Sequence, residues 1–321
     1  MHDRVGYLGI DLDFLPFDGV YRFLHTPVYG VARQTSRCRD MAAHIPFTPT
    51  RQDLCMHVRV GCEFRYRAPG HTPTIWQIRP RPEGPHWLLS HSWATTPPLP
   101  VATYLDAYGN VCDRLSLVQG ENVIRYDATV EVPSTYDDAD KAAPQLPIEE
   151  LPDDALVFLL PSRFCLSDVL HDQAWELFGG VEPGYPRAQA ISDWVHANVQ
   201  FQQGASTPLT TAVDVWERRT GVCRDFAQLG VTLCRAMNIP ARYVFGYLPD
   251  IGVPDPGDPM DFCAWLEVYL GDRWWTFDPR NNVPRTGRVV IGRGRDALDV
   301  AMVTTYGGAV LETMQVWAHE A

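Results

Sequence analysis

The sequence predicts an α+β protein in two parts, a β-sandwich-like unit followed by a unit of mixed helices and strands. Three observations carry this reading: a two-residue alternation that begins at Met56, a Pro- and Asp-rich break over 133–154, and apolar spacings of three and four after it. Strict alternation marks a strand with one face buried, whereas the longer spacing marks an amphipathic helix.

Residues 1–52 show little periodicity and several polar and proline positions, so they are expected to form an N-terminal extension packed on the domain after it. In the β-rich N-terminal domain, 53–132, Met56, Val58, Val60, Cys62, Phe64 and Tyr66 alternate with His57, Arg59, Gly61, Glu63, Arg65 and Arg67. Segments 106–118 and 122–132 read as further strands, the first carrying a Tyr-Gly-Asn turn signal and the two joined by Gln-Gly-Glu. Residues 133–154 lack an apolar period and read as a linker.

In the second domain, 155–321, the run QAISDWVHANVQF at 189–201 places Ile191, Trp194, Val195 and Val199 on one helical face. A second helix is expected after Thr210 or Thr211 as cap. A third is expected after Gly221, with Phe226, Leu229, Leu233 and Met237 aligned. Segments 239–248, 263–270 and 273–279 read as strands, the last two joined by a Gly-Asp turn.

Composition limits the function. The net charge of −12, from 27 Lys+Arg against 39 Asp+Glu, argues against a nucleic-acid partner, which needs a basic surface. No apolar run approaches the roughly 18–20 residues of a membrane helix. The N-terminus carries acidic residues and no apolar core of a signal peptide, so no membrane partner and a cytoplasmic location are expected. Eight cysteines contain no CxxC pair, and in a reducing compartment most are expected to be buried apolar residues rather than disulfides or zinc ligands. No cofactor and no metal are expected.

The stretch GVCRDFAQL, 221–229, puts Cys223 where a helix begins. A free thiol with a pKa of about 8.5 is only a few per cent thiolate at neutral pH, so a nucleophilic cysteine needs help. Unpaired amides and aligned peptide dipoles at a helix start favour the anion, and Arg224 adds positive charge. From position alone, a small buried cysteine is the alternative, as expected for Cys234.

The run TTAVDVWERRTGVCRDFAQLGVTLCRAMNIPARYVFGYL, followed by DFCAWLEVYLGDRWWTFDPRNN, resembles the bacterial transglutaminase-like superfamily, a papain-like group. The resemblance covers roughly 155–320, and 53–132 resembles the β-rich domain that often precedes it. It implies a papain-like transglutaminase-type domain in which Cys223 matches the nucleophile and Asp278 the acidic member of a Cys-His-Asp triad. The third member departs from the pattern: Cys263 stands where the family has His before Ala-Trp. The chain has no histidine between His196 and His319. Gln228 stands where many relatives have a second His, and Pro-Arg-Asn-Asn follows Asp278 where some carry a further one.

A thiol cannot replace imidazole in every step. If Cys223 and Cys263 face each other, their titration belongs to the pair, and Asp278 near Cys263 would keep that thiol protonated. Such a site holds a nucleophile but is a poor acid for expelling an amine. A thioester's leaving thiolate departs without a proton. The expected activity is therefore cysteine-dependent acyl transfer from a small-molecule or carrier-bound acyl substrate, with a carrier protein as partner.

Three rivals stand beside this reading: a non-catalytic binding descendant of the fold, a metal or redox site at Cys223, Cys263 and Asp278, and a peptidase or amidase whose base is His25, His44 or His196. Trp265, Gln203 and Arg224 are the candidate substrate-binding residues, with Trp274 and Trp275 packing behind the site. Gln202, Gln203 or the backbone amides at Cys223 are candidates for an oxyanion hole. Arg242 reads as an ion-pair residue, and Glu267 has no assigned role. The cluster Arg285, Arg288, Arg293 and Arg295 reads either as a salt-bridge network or as an anion site.

Overall fold

The alternation beginning at Met56 becomes β1 (Cys55–Ala68), in which Val58, Val60, Cys62, Phe64 and Tyr66 are buried while His57, Arg59, Arg65 and Arg67 face water. The computed structural model describes residues 55–321 apart from 85, 255 and 256. The expected extension, with His25 and His44, lies outside the described residues.

β1 pairs on both edges. Its sheet runs β14 (Val310–Glu320), β1, β6 (Gly120–Pro133), β3 (Trp87–Thr96), and a facing sheet runs β13 (Val303–Thr305), β2 (Thr72–Trp76), β5 (Val111–Leu117), β4 (Ala102–Leu105). Phe64 and Tyr66 meet Trp76 edge-on at 5.2 and 5.6 Å between ring centres, which fills the space between the sheets. The expected strand pair around Gln-Gly-Glu is not a hairpin: β5 pairs with β2 and β4, so the link carries the chain from one sheet to the other. Gly120 makes that corner at φ 98°, where a side chain would be strained.

The second unit has four helices of seven or more residues, α1 (His171–Phe178), α2 (Tyr185–Asn198), α3 (Ala212–Arg218) and α4 (Cys223–Ala236). They accompany an antiparallel sheet in the order β11 (Arg273–Phe277), β10 (Cys263–Leu270), β9 (Ala241–Tyr247), β12 (Val289–Gly294). Thr211 caps α3 reciprocally: its hydroxyl accepts the Asp214 amide, and Asp214 accepts the Thr211 amide at 2.8 Å. The helix expected over 189–201 starts earlier and stops at Asn198, because Val199 turns extended. Gln200–Phe201 (β7) then runs parallel to Thr220–Gly221 (β8).

α4 lies across β10 and β9. A side chain at Gly230 would sit 3.2 Å from Leu266, so the glycine lets helix and sheet approach closely. Buried Arg235 fastens the helix by donating to the carbonyls of Ala241, Leu160 and Arg295 at 2.9, 3.0 and 2.6 Å.

Two features depart from expectation. Segment 303–320, assigned by sequence to the second domain, supplies β13 and β14 to the two sheets of the first. β14 exposes Val310 and Leu311 and lacks clean alternation, so nothing in its pattern announces a sandwich strand. Among the described residues six cysteines are free, but Cys55 is disulfide-bonded, an exception that isolated cysteines in the sequence do not signal. Among the described residues, no helix is long and apolar enough to cross a membrane.

Candidate active site

The site is assembled around the first turn of α4. Asp225, wholly buried, accepts the Val222 amide at 2.8 Å, the Ser206 hydroxyl and the Arg224 guanidinium. Arg224 also donates to the Thr207 carbonyl at 2.8 Å. A side chain on Gly221 would meet Asp225 at 2.7 Å, so the approach to Cys223 needs glycine there. The Gln202 amide donates to the Gly221 carbonyl at 3.0 Å, which leaves Gln203 exposed in the turn beside this approach.

Cys223 is thus the first residue of a helix whose entry is locked on both sides. The residue is half-buried; its sulfur stands 3.9 Å from the Phe262 carbonyl, and Cys263, the first residue of β10, hydrogen-bonds to it through its own thiol. The Cys223 pKa is pulled below the ordinary thiol value, chiefly by the hydrogen bond from the Cys263 thiol and further by the Ala264 amide, against the opposing effect of burial. The Cys263 pKa moves the other way, well above the ordinary value, because of its bond to Cys223, burial, and the charges of Cys223 and Asp278. The pair therefore carries its first negative charge on Cys223.

Asp278 follows β11 and is buried. Its carboxylate accepts from the Asn281 amide at 3.1 Å, the Asn281 side chain at 2.9 Å and Arg288 at 2.9 Å. It acts on Cys263 through charge, and no hydrogen bond joins the two side chains among the described residues. Arg288 continues to Asp137 in the 133–154 segment at 2.9 and 3.0 Å. Its guanidinium also covers the Trp265 ring at 4.8 Å from the centroid. Trp265 is 1% exposed, packed with Val244 and Val290 against Cys263, and shows no open face to a ligand.

Sequence reasoning singled out Cys223, Cys263 and Asp278, and the structure gathers them. Arg224 is nearby, but its charge faces Asp225 rather than the thiol. Asp225, Ser206, Asn281 and Asp137 were not anticipated, and Arg288 was named only as a member of the arginine cluster, without its link to Asp278. No spacing rule links positions 151 residues apart, as Asp137 and Arg288 are. Tyr243 was also unforeseen. It is buried near both thiols, with its phenol raised well above the ordinary value, first by burial and then by the Cys223 charge.

The arginine cluster resolves into ion pairs. Arg285 meets Asp250 at 2.9 Å, Arg288 meets Asp137 and Asp278, Arg293 meets Glu267 at 2.8 Å, and Arg295 meets Asp299 at 3.0 Å. Glu267 also takes Arg242 at 2.6 Å. Burial pushes the Glu267 carboxyl up, but Arg293 and Arg242 together hold it down at about 2.

His196 lies at the exposed end of α2, with Nδ1 3.0 Å from the carbonyl of Pro279, the residue after Asp278. No hydrogen bond joins it to either thiol among the described residues. Beside it, Arg280 lies 3.9 Å over the Phe201 ring, bridging the Asp278 strand and the segment next to Gly221. A cavity of about 140 Å³ opens on the far side of Asp278, lined by Asp137, Asp138, Tyr185, Ser192 and Asn282, and neither thiol lines it. Among the described residues, no three His, Cys, Asp or Glu side chains gather as metal ligands.

Known proteins are similar to this chain to different extents. A family described as the transglutaminase-like superfamily matches residues 172–279, a span containing Cys223, Cys263 and Asp278. The crystal structure of a candidate cysteine protease from Cytophaga hutchinsonii is similar at a TM-score of 0.77 and 34% identity, covering 83% of this chain and 91% of that one. An uncharacterised Mycobacterium leprae protein is 34% identical over 115 residues, 35% of this chain, and the match spans only 41% of that relative. A Mycobacterium tuberculosis protein is 28% identical over 220 residues, covering 62% of this chain and 69% of that relative.

Proposed function

The chain belongs to the transglutaminase-like superfamily, and from that premise we propose that Cys223 accepts an acyl group from a thioester and passes it to a second nucleophile. The fold is one that supports cysteine-dependent acyl transfer or hydrolysis. The observation that carries the finer reading is the facing thiol pair, in which Cys263 stabilises the Cys223 thiolate while itself holding its proton.

The Cys223 thiolate attacks the thioester carbonyl, the tetrahedral intermediate collapses, and the donor leaves as a thiolate that needs no proton at neutral pH. An acyl-enzyme remains on Cys223. An amine, an alcohol or water then attacks it, and its proton goes to solvent or to the departed thiolate. In the first turn of α4 the Asp225 and Phe226 amides donate to the Val222 carbonyl at 2.8 and 3.2 Å, so the Cys223 and Arg224 amides are the ones that favour the developing oxyanion. An amide donor is disfavoured because its nitrogen must be protonated on leaving. Cys263 is a weak donor for that task, as a thiol held well above its ordinary pKa. A small-molecule or carrier-protein thioester in a biosynthetic pathway is the substrate class that fits.

A binding module is the second reading. It is favoured by the absence, among the described residues, of an imidazole bonded to either thiol and by a cavity at Asp278 that neither thiol lines. A panel of acyl thioesters and matched acyl anilides, assayed with the full chain and with Cys223→Ala, decides between them. Thioester turnover that vanishes in C223A supports acyl transfer. Turnover that survives in C223A, or equal turnover of anilides, refutes it, and thioester binding without turnover selects the binding module.

A further inference from the structure

Outside its acyl chemistry, the site contains a dithiol in an arrangement that an acyl transferase does not need. Among the described residues six cysteines are free, and of these only Cys223 and Cys263 are half-buried. The others lie in packed interior, where burial pushes the thiols of Cys62, Cys165 and Cys234 up to about 12 and removes their thiolate form. Cys223 and Cys263 each begin an element, α4 and β10, and meet where the two join: the Cys263 thiol is hydrogen-bonded to the Cys223 sulfur, which stands 3.9 Å from the carbonyl of Phe262, the residue before Cys263. First residues have regular backbone on one side only, so small adjustments toward disulfide geometry do not break a helix or a ladder.

We propose that Cys223 and Cys263 form a hydroperoxide-reactive dithiol, in which Cys223 is oxidised and Cys263 resolves it to an intramolecular disulfide. In the first step the Cys223 sulfur attacks the outer oxygen of a hydroperoxide. The O–O bond breaks, Cys223 becomes a sulfenic acid, and the alkoxide or hydroxide takes a proton from water. In the second step the Cys263 sulfur attacks the sulfenic sulfur, the S–S bond forms, and water leaves with the Cys263 proton. The two thiols have lost two electrons in total and the peroxide has gained them. Two equivalents of a low-molecular-weight thiol return the pair to its reduced state by exchange.

The anion on Cys223 supplies the nucleophile of the first step, and the proton retained on Cys263 supplies the one released in the second. Neither step uses an acyl donor, so this chemistry and acyl transfer stand or fall separately.

The test treats the full reduced chain with hydrogen peroxide, blocks remaining thiols with N-ethylmaleimide, and maps peptides by mass spectrometry. The expected result is loss of both Cys223 and Cys263 as alkylatable thiols and a linked peptide lacking two hydrogens, restored by dithiothreitol. In Cys263→Ser, Cys223 is expected to pass to sulfinic acid with no linked peptide, and Cys234→Ser is expected to behave as wild type. Sulfinic acid on Cys223 in wild type at the rate of C263S overturns the proposal, as does a Cys223 that peroxide leaves untouched. If C263S does not fold, the linked peptide in wild type decides alone.

Discussion

Replacing Glu267 with Gln tests the electrostatic frame behind the thiols. Glu267 lies on β10 four residues beyond Cys263 and joins Arg242 on β9 to Arg293 on β12, so one carboxylate ties three strands of the sheet together. Its pKa is held at about 2 against a reference of 4.5. The difference of about 2.5, at about 1.36 kcal/mol per unit, corresponds to roughly 3 kcal/mol. Removing one partner of a buried pair costs about 3–5 kcal/mol, which agrees.

Because the folded-state pKa is depressed, this stability is fully present above the unfolded value of 4.5 and is lost as pH falls through that value toward about 2. Urea denaturation of wild type and E267Q across pH 7 to 3 reads it directly. The expected gap is about 3 kcal/mol at neutral pH, more than a hundredfold in the unfolding equilibrium, narrowing steadily below pH about 4.5. A gap that is absent at neutral pH, or constant across the range, refutes the assignment.

Three other outcomes are expected. Cys263→Ala removes the hydrogen bond that most lowers the Cys223 pKa, so the midpoint of Cys223 alkylation by iodoacetamide moves to higher pH, and a midpoint that stays or falls contradicts the pairing. Cys263→His places an imidazole against the nucleophile and is expected to raise anilide hydrolysis relative to thioester turnover by roughly 10²–10⁴, the usual worth of general acid–base catalysis. Truncation after Ala309 strips β1 of its ladder from Val58 to Arg67 and is expected to unfold the sandwich, seen as lost cooperativity in thermal melts monitored by circular dichroism.

Local signals in the sequence located much of the fold. The alternation of β1, the Thr211 cap and the aligned Phe226, Leu229 and Leu233 of α4 all depend on near neighbours, and each formed where its pattern placed it. β3 escaped notice because WLLSHSWATT is largely exposed at a sheet edge, where no buried face imposes alternation. β12 was hidden inside an arginine-rich run, since VVIG is buried on both sides and its arginines are paired at long range. At the site, Cys223 and Asp278 were legible through ordered motifs. The Asp225 lock on Ser206 and the Arg288 bridge join residues distant in sequence, which no local period records.

The Asp137–Arg288–Asp278 chain changes what the segment between the two sheet systems is. A joining segment is ordinarily free to lengthen, stiffen or be exchanged without consequence for chemistry elsewhere. Here one of its carboxylates holds the guanidinium that neutralises Asp278, and that aspartate in turn raises the pKa of both thiols. The connector is tied by ion pairs to the candidate site. A graft of the C-terminal unit onto another N-terminal domain would have to carry Asp137 with it to keep the Arg288 guanidinium in place.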